Sequence, residues 1–422
     1  MTFADLNIID PLLRALDQEG YTSPTPIQML AIPHLLKGRD LMGIAQTGTG
    51  KTAAFVLPIL QKMHEEQKAP RPGAPRALVL APTRELAAQI DQSFATYGRF
   101  LPFRHTAIFG GVAQGPQVRA LSRGVDILVA TPGRLLDLMN QGHIKLSGVE
   151  FFVLDEIDRM LDMGFVNDVR KIVSGLPKRR HSQFFSATLS PQTDELARRL
   201  LTDPVHVEAA PQASTLECIE QSVFLVDQNM KYPLLQGLLE KGELSRVLVF
   251  TRTKHRADKV AKMLNNGGIR ADAIHGNKSQ NQRTVTMRNF KSGRLRVMVA
   301  TDIAARGIDV DGISHVVNYD LPREPESYVH RIGRTGRAGA MGAAYSFCGT
   351  DEQSLLRQIE KLVGTHIEVA QHRYGTTKAE RAAGQSARQI PNGSGVAPRN
   401  PAPRNKSGSG PRRPYPARVA ST

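Results

Sequence analysis

Short apolar runs alternate with longer stretches of helical periodicity along most of this chain. Each run is nearly continuous rather than alternating, and each ends in small or polar residues. Near-continuous apolar strands separated by helices predict a parallel sheet covered on both faces. In the first half these runs span residues 40–44, 77–80, 126–130, 151–154 and 183–185.

The N-terminal pattern predicts helices rather than strands. Residues 3–19 carry apolar positions at helical spacing, which predicts one helix, and residues 28–36 predict a second. Between them lies a loop with Pro24 and Pro26, whose fixed backbone angles stiffen the approach to the second helix.

The second half repeats this architecture. Apolar runs at 246–250, 271–274, 296–300 and 315–319 again end in polar residues. Around 205–216 the periodicity breaks into a stretch rich in Ala, Pro, Ser and Thr, which predicts a linker. We therefore predict an α/β protein with an N-terminal domain at 1–208, a linker at 209–218, a second domain at 219–370 and a tail at 371–422.

The composition of the chain predicts that it binds a polyanion. The 422 residues carry a net charge of +16, and from Arg373 onward ten Lys and Arg residues stand against Glu380 alone. The tail is dominated by Gly, Pro, Ser, Asn and Arg, which predicts a disordered basic segment. Such charge predicts binding to nucleic acid or to an anionic surface. A membrane partner is disfavoured, because the tail lacks an amphipathic apolar face.

Other features indicate a cytoplasmic protein. The sequence shows no run of 18 apolar residues and no N-terminal signal-peptide pattern. Cys218 and Cys348 are the only cysteines, which fits a reducing compartment and excludes a Cys₄ metal site.

A glycine loop follows the first apolar run. Gly48 and Gly50 allow the backbone to turn its N–H groups toward an anion, and the next helix adds its positive end. Lys51 would then reach the β- and γ-phosphates, and the Thr52 hydroxyl would bind Mg²⁺. The general phosphate-loop pattern begins with Gly, whereas Ala45 stands here. A glycine turn with a solvated lysine is the alternative.

An acidic pair follows the run at 151–154. Asp155 would hold Mg²⁺ and Glu156 would orient and deprotonate the attacking water. A solvated strand end that begins a helix is the alternative, since acids are favoured there. Near a phosphate loop, the Gln28 amide would match the N6 and N7 atoms of adenine, and the Tyr21 ring would stack on the base. Taken alone, Gln28 is more typical of a surface amide.

The second half has no phosphate loop. If a nucleotide is held between the two units, the second unit must supply positive charge to its phosphates. The basic loop at 330–337 contains three arginines and two glycines. An arginine from such a loop can stabilise the transferring phosphoryl group across a domain gap. A patch that contacts nucleic-acid phosphates is the alternative.

These motifs, in this order, resemble those of the DEAD-box ATP-dependent RNA helicases of superfamily 2, over about residues 3–350. The spacing of Phe3, Gly20, Tyr21 and Gln28 is most similar to the bacterial RhlE-type subgroup. The resemblance implies two tandem RecA-like domains, and Ala45 is that family's usual residue. Ile157 departs from the family, which normally has Ala there, and the hypothesis is that its neighbours accommodate it.

The resemblance also implies a role for each matching position. The implied catalytic residues are Lys51, Asp155, Glu156, Arg334 and Arg337, with Thr52 and Asp155 holding Mg²⁺. The implied ATP-binding residues are Tyr21, Gln28, Ala45, Gln46, Thr47, Gly48, Thr49, Gly50, Lys51, Thr52 and Asp309. Ser186 and Thr188 would couple the sites by hydrogen bonds with Asp158 and His330. The implied RNA-binding residues are Pro82, Thr83, Arg84, Gly110, Gly111, Thr131, Pro132, Gly133, Arg134, Arg252, Thr253, Gln280, Arg283 and Thr301.

The expected function is that of a monomeric, cytoplasmic RNA helicase. ATP and RNA together would close the two domains, and hydrolysis would be coupled to local, non-processive unwinding of short duplexes or remodelling of RNA–protein complexes. Ribosomal precursors and RNA-decay complexes are both compatible targets. Two alternatives stay open: an ATP-dependent RNA clamp with little turnover, and a DNA helicase of the same superfamily.

Overall fold

The computed structural model describes residues 1–46, 48–209, 218–242, 244–305, 310, 312–336 and 341–372. These residues form two seven-stranded sheets in which every paired strand is parallel. The strands of the first sheet are β1 Leu41–Ile44, β2 Ala77–Leu80, β3 His105–Ile108, β4 Ile127–Ala130, β5 Phe151–Leu154, β6 His181–Ser186 and β7 Val205–Glu208. The strands of the second sheet are β8 Ile219–Leu225, β9 Val247–Phe250, β10 Ala271–Ile274, β11 Val297–Ala300, β12 His315–Asn318, β13 Gly342–Cys348 and β14 Glu368–Val369.

The two sheets have the same topology. The first is ordered β3-β4-β2-β5-β6-β1-β7 and the second β10-β11-β9-β12-β13-β8-β14. Subtracting seven from each label of the second sheet reproduces the order of the first. The predicted α/β architecture of two similar parallel-sheet units is therefore confirmed.

Helices connect the strands and cover both sheet faces. In the first unit they are α1 Asp10–Gln18, α2 Pro26–Leu36, α3 Lys51–Glu65, α4 Arg84–Tyr97, α5 Gln114–Ser122, α6 Pro132–Asn140, α7 Ile157–Asp162, α8 Val166–Ser174 and α9 Pro191–Leu200. In the second unit they are α10 Lys231–Glu240, α11 Lys254–Asn266, α12 Gln280–Lys291, α13 Asp302–Ala305, α14 Pro325–Ile332 and α15 Gln353–Val363. Within the described ranges, no helix has both the length and the apolar character to cross a lipid bilayer.

The central strands are buried on both faces, which explains their continuous apolar sequence. In β2, Ala77 and Val79 pack into one core layer with α1–α4, whereas Leu78 and Leu80 pack into the opposite layer with α6–α9. In the second unit, Val247 packs with α10 and α11 while neighbouring Leu248 packs with α12. Successive strand residues point to opposite faces, so both must be apolar when helices cover both sides.

The N-terminal helix prediction was wrong in its extent. Residues 3–19 do not form one helix: a 3₁₀ turn at Ala4–Leu6 ends at Asn7, whose φ is +59°, and α1 begins at Asp10. Pro11 lies in the first turn of α1, where its missing N–H is not needed, and it prevents continuation from the preceding turn. The helix predicted at 28–36 begins earlier, at Pro26.

Several strands were not predicted from the sequence because their hydrophobic patterns are weak. Strand β3 is only half-buried and contains polar His105 and Thr106, and β13 is rich in small residues. Strand β7, Val205–Glu208, lies where a break in structure was predicted, and it pairs with β1 as an edge strand. The predicted linker contributes only Ala209 and Cys218 to the described residues, and the tail contributes only residues 371–372.

Candidate functional site

The glycine loop joins the end of β1 to the start of α3. Gly48 and Gly50 have φ values of +87° and +93°, which glycine adopts without strain. A Cβ atom on Gly50 would lie 2.4 Å from the Gln28 Nε2 atom, so a side chain there would collide with α2. The loop is therefore built for glycine both by backbone angle and by space. Predicted Thr47 lies outside the described residues.

Polar contacts hold this loop in shape. The Lys51 Nζ atom donates to the Ala45 carbonyl at 2.7 Å, and the Thr49 hydroxyl donates to the Gln46 carbonyl at 2.7 Å. Lys51 is only 6% exposed and Thr52 lies beside it in the first turn of α3. The lysine thus spans the loop from its end to its start.

Gln28 braces the glycine loop. Its Nε2 atom donates to the Gly50 carbonyl at 3.0 Å, and its Oε1 atom accepts from the Thr25 backbone N–H at 2.9 Å. An amide has two donors and two acceptor positions, so one of each remains for a base. The Tyr21 ring is 51% exposed, whereas Phe3 is buried in the core beneath this region.

The acidic pair is buried at the end of β5. Asp155 is 2% exposed and Glu156 is 3% exposed. Burial raises the pKa of Asp155 to about 7; the Glu156 and Asp158 carboxylates add to this rise, whereas the Lys51 ammonium group and the Glu156 N–H oppose it. Burial destabilises the ionised form of this carboxylate, so a cation bound beside it would stabilise that form.

Glu156 adopts an unusual backbone conformation. Its φ of +54° and ψ of +55° lie in the left-handed region, which is rare for a residue with a side chain. Its Oε2 atom lies 3.4 Å from Arg159 Nε but makes no hydrogen bond within the described part of the chain. A strained residue that presents an unsatisfied buried carboxylate oxygen is typical of a functional site.

Ile157 begins α7 rather than ending a strand. Its side chain is fully buried and packs in the core layer with Leu154 and Met160. It therefore points away from Glu156 and into apolar surroundings.

Residues 186–188 connect to the acidic helix. The Thr188 hydroxyl donates to Asp158 Oδ2 at 3.3 Å, and the Ala187 N–H donates to the same oxygen at 3.2 Å. The Ser186 hydroxyl instead donates to the Thr188 carbonyl at 2.8 Å, so it shapes the turn and does not bond Asp158. Of the predicted coupling contacts with Asp158, the structure contains the one from Thr188.

The two units meet around a cavity of about 230 Å³. Its lining comes from the glycine loop and the 186–188 turn on one side and from α14 and α15 on the other. The lining residues are Gln46, Ala187, Thr188, Glu326, Val329, His330, Gly333, Arg334 and Leu362. Arg334 is 3% exposed, and its Nε atom donates to the His330 carbonyl at 3.2 Å. A buried arginine of the second unit thus faces the phosphate loop of the first. Arg337 and Asp309 lie outside the described residues.

The predicted basic loop at 330–337 begins instead within the last turn of α14, which contains Arg331, and this arginine has a structural role that the sequence did not reveal. Its guanidinium group makes two hydrogen bonds to the Asp302 carboxylate, at 2.5 and 2.7 Å, and it donates to the Asp320 carbonyl at 2.7 Å. These contacts fix α14 and so fix the position of Arg334 three residues later.

The predicted RNA-binding residues lie at the carboxyl ends of strands in both sheets. In the first unit they follow β2, β3 and β4, and in the second unit they follow β9, β10 and β11. Thr83 and Thr253 occupy equivalent places, since each hydroxyl accepts an N–H from the first turn of the following helix. A Cβ atom on Gly111 would lie 2.0 Å from Arg84 Nη1, so Arg84 packs directly on this glycine.

The two rows of residues meet at α4 and α12. Arg84 Nη1 donates to Gln280 Oε1 at 3.4 Å, and Gln280 Nε2 donates to Glu85 Oε1 at 3.2 Å. Arg283 and Glu85 form an ion pair at 2.9 Å, in which both side chains are largely buried. Sequence reasoning missed Glu85, although its position beside Arg84 in the first turn of α4 was a signal for a charged contact.

A second missed group holds Arg252. Its Nη2 atom lies 2.6 Å from Glu352 Oε1, and the other oxygen of Glu352 lies 2.6 Å from the fully buried Lys231 ammonium group. Glu352 therefore fixes the position of the guanidinium group of Arg252, which is a predicted RNA-binding residue. Thr131 and Arg134 lie at the carboxyl end of β4. Thr131 immediately precedes α6, and the Arg134 Nε atom lies 3.4 Å from Asp137 Oδ2.

Comparisons with known proteins match both halves of this chain. The DEAD/DEAH box helicase family matches residues 25–196, and the helicase conserved C-terminal domain matches residues 230–339. The DEAD-box ATP-dependent RNA helicase CshA of Bacillus subtilis is 43% identical over 361 residues, which cover 86% of this chain and 72% of that protein.

Two solved structures resemble the fold over most of their length. Saccharomyces cerevisiae Dbp5 bound to RNA and ADP BeF3 is 31% identical with a TM-score of 0.77, covering 87% of this chain and 95% of that chain. A DEAD box protein from the hyperthermophile Methanococcus jannaschii is 39% identical with a TM-score of 0.51, covering 88% and 99%.

Proposed function

This chain belongs to the DEAD-box ATP-dependent RNA helicases, and from that premise we propose that it couples RNA-stimulated ATP hydrolysis to local, non-processive unwinding of short RNA duplexes or remodelling of RNA–protein complexes. The observation that carries the proposal is the cavity that Gln46 of the glycine loop and Arg334 of the second RecA-like domain line together, with Lys51 close enough to the buried Asp155 carboxylate to act on its pKa. An ATPase whose site is divided between two domains changes its domain arrangement when the nucleotide changes.

The ATP phosphates fit the glycine loop. Backbone N–H groups at the start of α3 and the Lys51 ammonium group supply positive charge at the glycine loop. The adenine fits beside Gln28, which keeps one free donor and one free acceptor, and beside the exposed Tyr21 ring.

The residues also fit Mg²⁺. Within the described residues no three His, Cys, Asp or Glu side chains gather as a metal centre, so the ion would take its oxygens from Thr52, Asp155, water and phosphate. Asp155, whose pKa is about 7 without a cation, is the group that such an ion would keep ionised. Bound Mg²⁺ would neutralise charge on the phosphates.

Glu156 is the proposed general base. Its unsatisfied Oε2 atom can accept a hydrogen bond from a water molecule next to the γ-phosphate. The left-handed backbone of Glu156 ends the direction of the preceding strand at this residue. Arg334 would stabilise the charge of the transferring phosphoryl group, which is worth roughly 10³–10⁵ in rate in other NTPases.

We infer that the two domains of this chain are in a closed arrangement. The M. jannaschii protein has the higher identity but the lower TM-score, so divergence of sequence does not explain its poorer superposition. The better match to Dbp5 in its complex with RNA and ADP BeF3 supports a closed arrangement for this chain. The contacts of Glu85 with Gln280 and Arg283 across the cleft are what such closure requires.

The RNA would follow the carboxyl edge of both sheets. The contacts there come from helix N-termini, arginines and glycines, which suit sugar and phosphate rather than base edges. We therefore propose single strands and short duplexes as substrates, bound largely without sequence preference. The RhlE-type subgroup, a monomeric state, a cytoplasmic location and a target such as a ribosomal precursor or an RNA-decay complex belong to the same proposal.

Steady-state ATPase with and without single-stranded RNA tests this function. We expect strong stimulation by RNA in the wild type and its loss in Glu156→Gln, with Glu195→Gln as the matched control because Glu195 is an exposed residue of α9. ATP-dependent RNA binding without turnover would instead support the clamp. Equal stimulation by DNA would contradict an RNA-specific role, because only RNA offers the 2′-hydroxyl.

A further inference from the structure

The positive charge of this chain is concentrated in two segments. Residues 251–300 contain 12 Lys and Arg against 2 Asp and Glu, and residues 373–422 contain 10 against 1. Residues 1–250 contain 26 of each sign, and residues 301–372 contain 7 against 10. The segment 251–300 therefore carries a net charge of +10 within the second domain, apart from the tail.

The helix α12 region is the most one-sided part of that segment. Residues 273–301 contain six basic residues and no acidic residue. Three of the six are engaged: Lys278 pairs with Asp258, Arg283 pairs with Glu85, and Arg296 donates to the carbonyls of Leu239 and Leu244. The other three, Arg288, Lys291 and Arg294, are exposed, and none has a carboxylate partner among the described residues.

Helical geometry places these residues in line with the cleft. Gln280, Thr284, Arg288 and Lys291 are spaced by four, four and three residues, so they share one face of α12. Met287 and Phe290 face the core instead. Gln280 contacts Glu85 across the cleft at one end of this face, and Lys291 lies 11 residues later, about 16 Å along the helix axis.

We propose that Arg288 and Lys291 on α12 and Arg294 just after its end, together called the α12 basic face, bind the phosphates of RNA that flanks the segment held in the cleft. This inference rests on the proposed helicase function and adds a second contact surface outside the cleft. RNA that extends past Gln280 and Arg283 would run along α12. There its phosphates would contact the exposed side chains of the α12 basic face.

The chemistry of the face favours RNA over an acidic protein segment. Val285 is the one large hydrophobic side chain of α12 that is strongly exposed, at 44%. A protein interface usually has an apolar core, whereas phosphate contacts need only accessible cations.

The test compares RNA with and without flanking duplex. The full chain, with its tail intact, is titrated with a single-stranded 10-mer and with the same 10-mer extended by a duplex on its 5′ or 3′ side, each with ADP–beryllofluoride. The variant is Arg288→Ala/Lys291→Ala/Arg294→Ala. The matched control, Lys259→Ala/Lys262→Ala/Arg270→Ala, removes three exposed charges from the same domain on and beside α11, which covers the opposite sheet face.

We expect the α12 variant to bind one extended RNA about 10- to 100-fold more weakly, with the slope of log affinity against log salt reduced by roughly 2–3. Binding of the 10-mer and its stimulation of ATPase should change less than about twofold, which also shows that the variant is folded. The control should bind every RNA as the wild type does, within about twofold.

Three results would overturn the inference. Equal losses in both triple variants would mean that bulk charge alone acts. An equal loss on the 10-mer would place the three residues in the cleft site. No loss on either extended RNA would leave an acidic protein as the remaining class of partner. A wild type without RNA-stimulated ATPase would instead reject the proposed function itself.

Discussion

The two RecA-like domains place the same residue types at the same topological positions. Lys51 is the first residue of the helix after the first strand of its sheet, and Lys231 is the first residue of the corresponding helix in the second sheet. Asp155 follows β5 and Asp320 follows the equivalent β12. The N–H of each donates to the last carbonyl of the second strand, at 3.0 Å in the first domain and 3.3 Å in the second.

The surroundings of these pairs differ. In the first domain a glycine loop precedes the lysine, and Glu156 follows the aspartate with an unsatisfied oxygen. In the second domain residues 226–230 contain no glycine, and buried Leu321 stands where Glu156 does. The anion beside the second lysine is the Glu352 carboxylate, at 2.6 Å.

Burial alone therefore does not make a catalytic site. The charges of the second domain are satisfied within the protein, since Arg256 pairs with Asp320 and Arg252 pairs with Glu352. The charges of the first domain are left partly unsatisfied, at the expense of stability, and this is where a phosphate and a cation fit. The same framework carries a structural ion network in one copy and the proposed catalytic site in the other.

Replacing Lys51 and Lys231 by methionine, each in its own variant, should have the largest effects and should separate a catalytic role from a structural one. Lys51→Met should lower ATPase turnover by at least about 10²–10³-fold, as for other preorganised charge donors, and leave folding intact. Lys231→Met should lower the free energy of unfolding by about 3–5 kcal/mol, because it leaves Glu352 and Asp320 with an uncompensated charge. Turnover and urea unfolding measure the two effects.

The double variant Lys231→Met/Glu352→Leu provides the control for that experiment. It should recover part of the lost stability, because it removes both buried charges together. A Lys231→Met protein that is as stable as the wild type but unable to hydrolyse ATP would contradict the comparison, since it would give the second lysine a catalytic role.

The pH dependence of Asp155 should give an intermediate effect. Its folded pKa of about 7 lies above the unfolded value of 3.8, so its contribution favours the folded state fully below pH 3.8 and is lost as the pH rises through 7. Asp155→Asn should therefore raise the free energy of unfolding at pH 8 by roughly 2–4 kcal/mol relative to the wild type, and this gain should vanish near pH 4. Denaturant unfolding across this range measures it, and a gain independent of pH would contradict the raised pKa.

The smallest expected effect belongs to Ile157. Because its side chain packs in the core beneath α7, Ile157→Val should lower the free energy of unfolding by only about 0.5–1.5 kcal/mol. Turnover should stay within about twofold. A tenfold rise in turnover on shortening this side chain would mean that Ile157 displaces Glu156 in the wild type.

Sequence reasoning worked where local chemistry is distinctive. Lys51, Asp155, Glu156 and Arg334 were predicted because each stands in a short, chemically distinctive motif; the structure buries all four, and Arg334 lines the cavity between the domains. The strands with continuous apolar sequence were found for the same reason. Edge strands such as β7 and β3 were missed, because a half-buried strand needs few apolar residues.

The sequence by itself determined the two α/β units, the phosphate loop and the polar ends of the strands, because periodicity and backbone chemistry act over a few residues. Only the tertiary structure decided which charges are satisfied and which are not. Glu85 with Arg283 and Lys231 with Glu352 are separated by more than a hundred residues in the chain. Whether a buried charge has a partner depends on distances of a few ångströms in the folded protein, and no local pattern of residues contains that information.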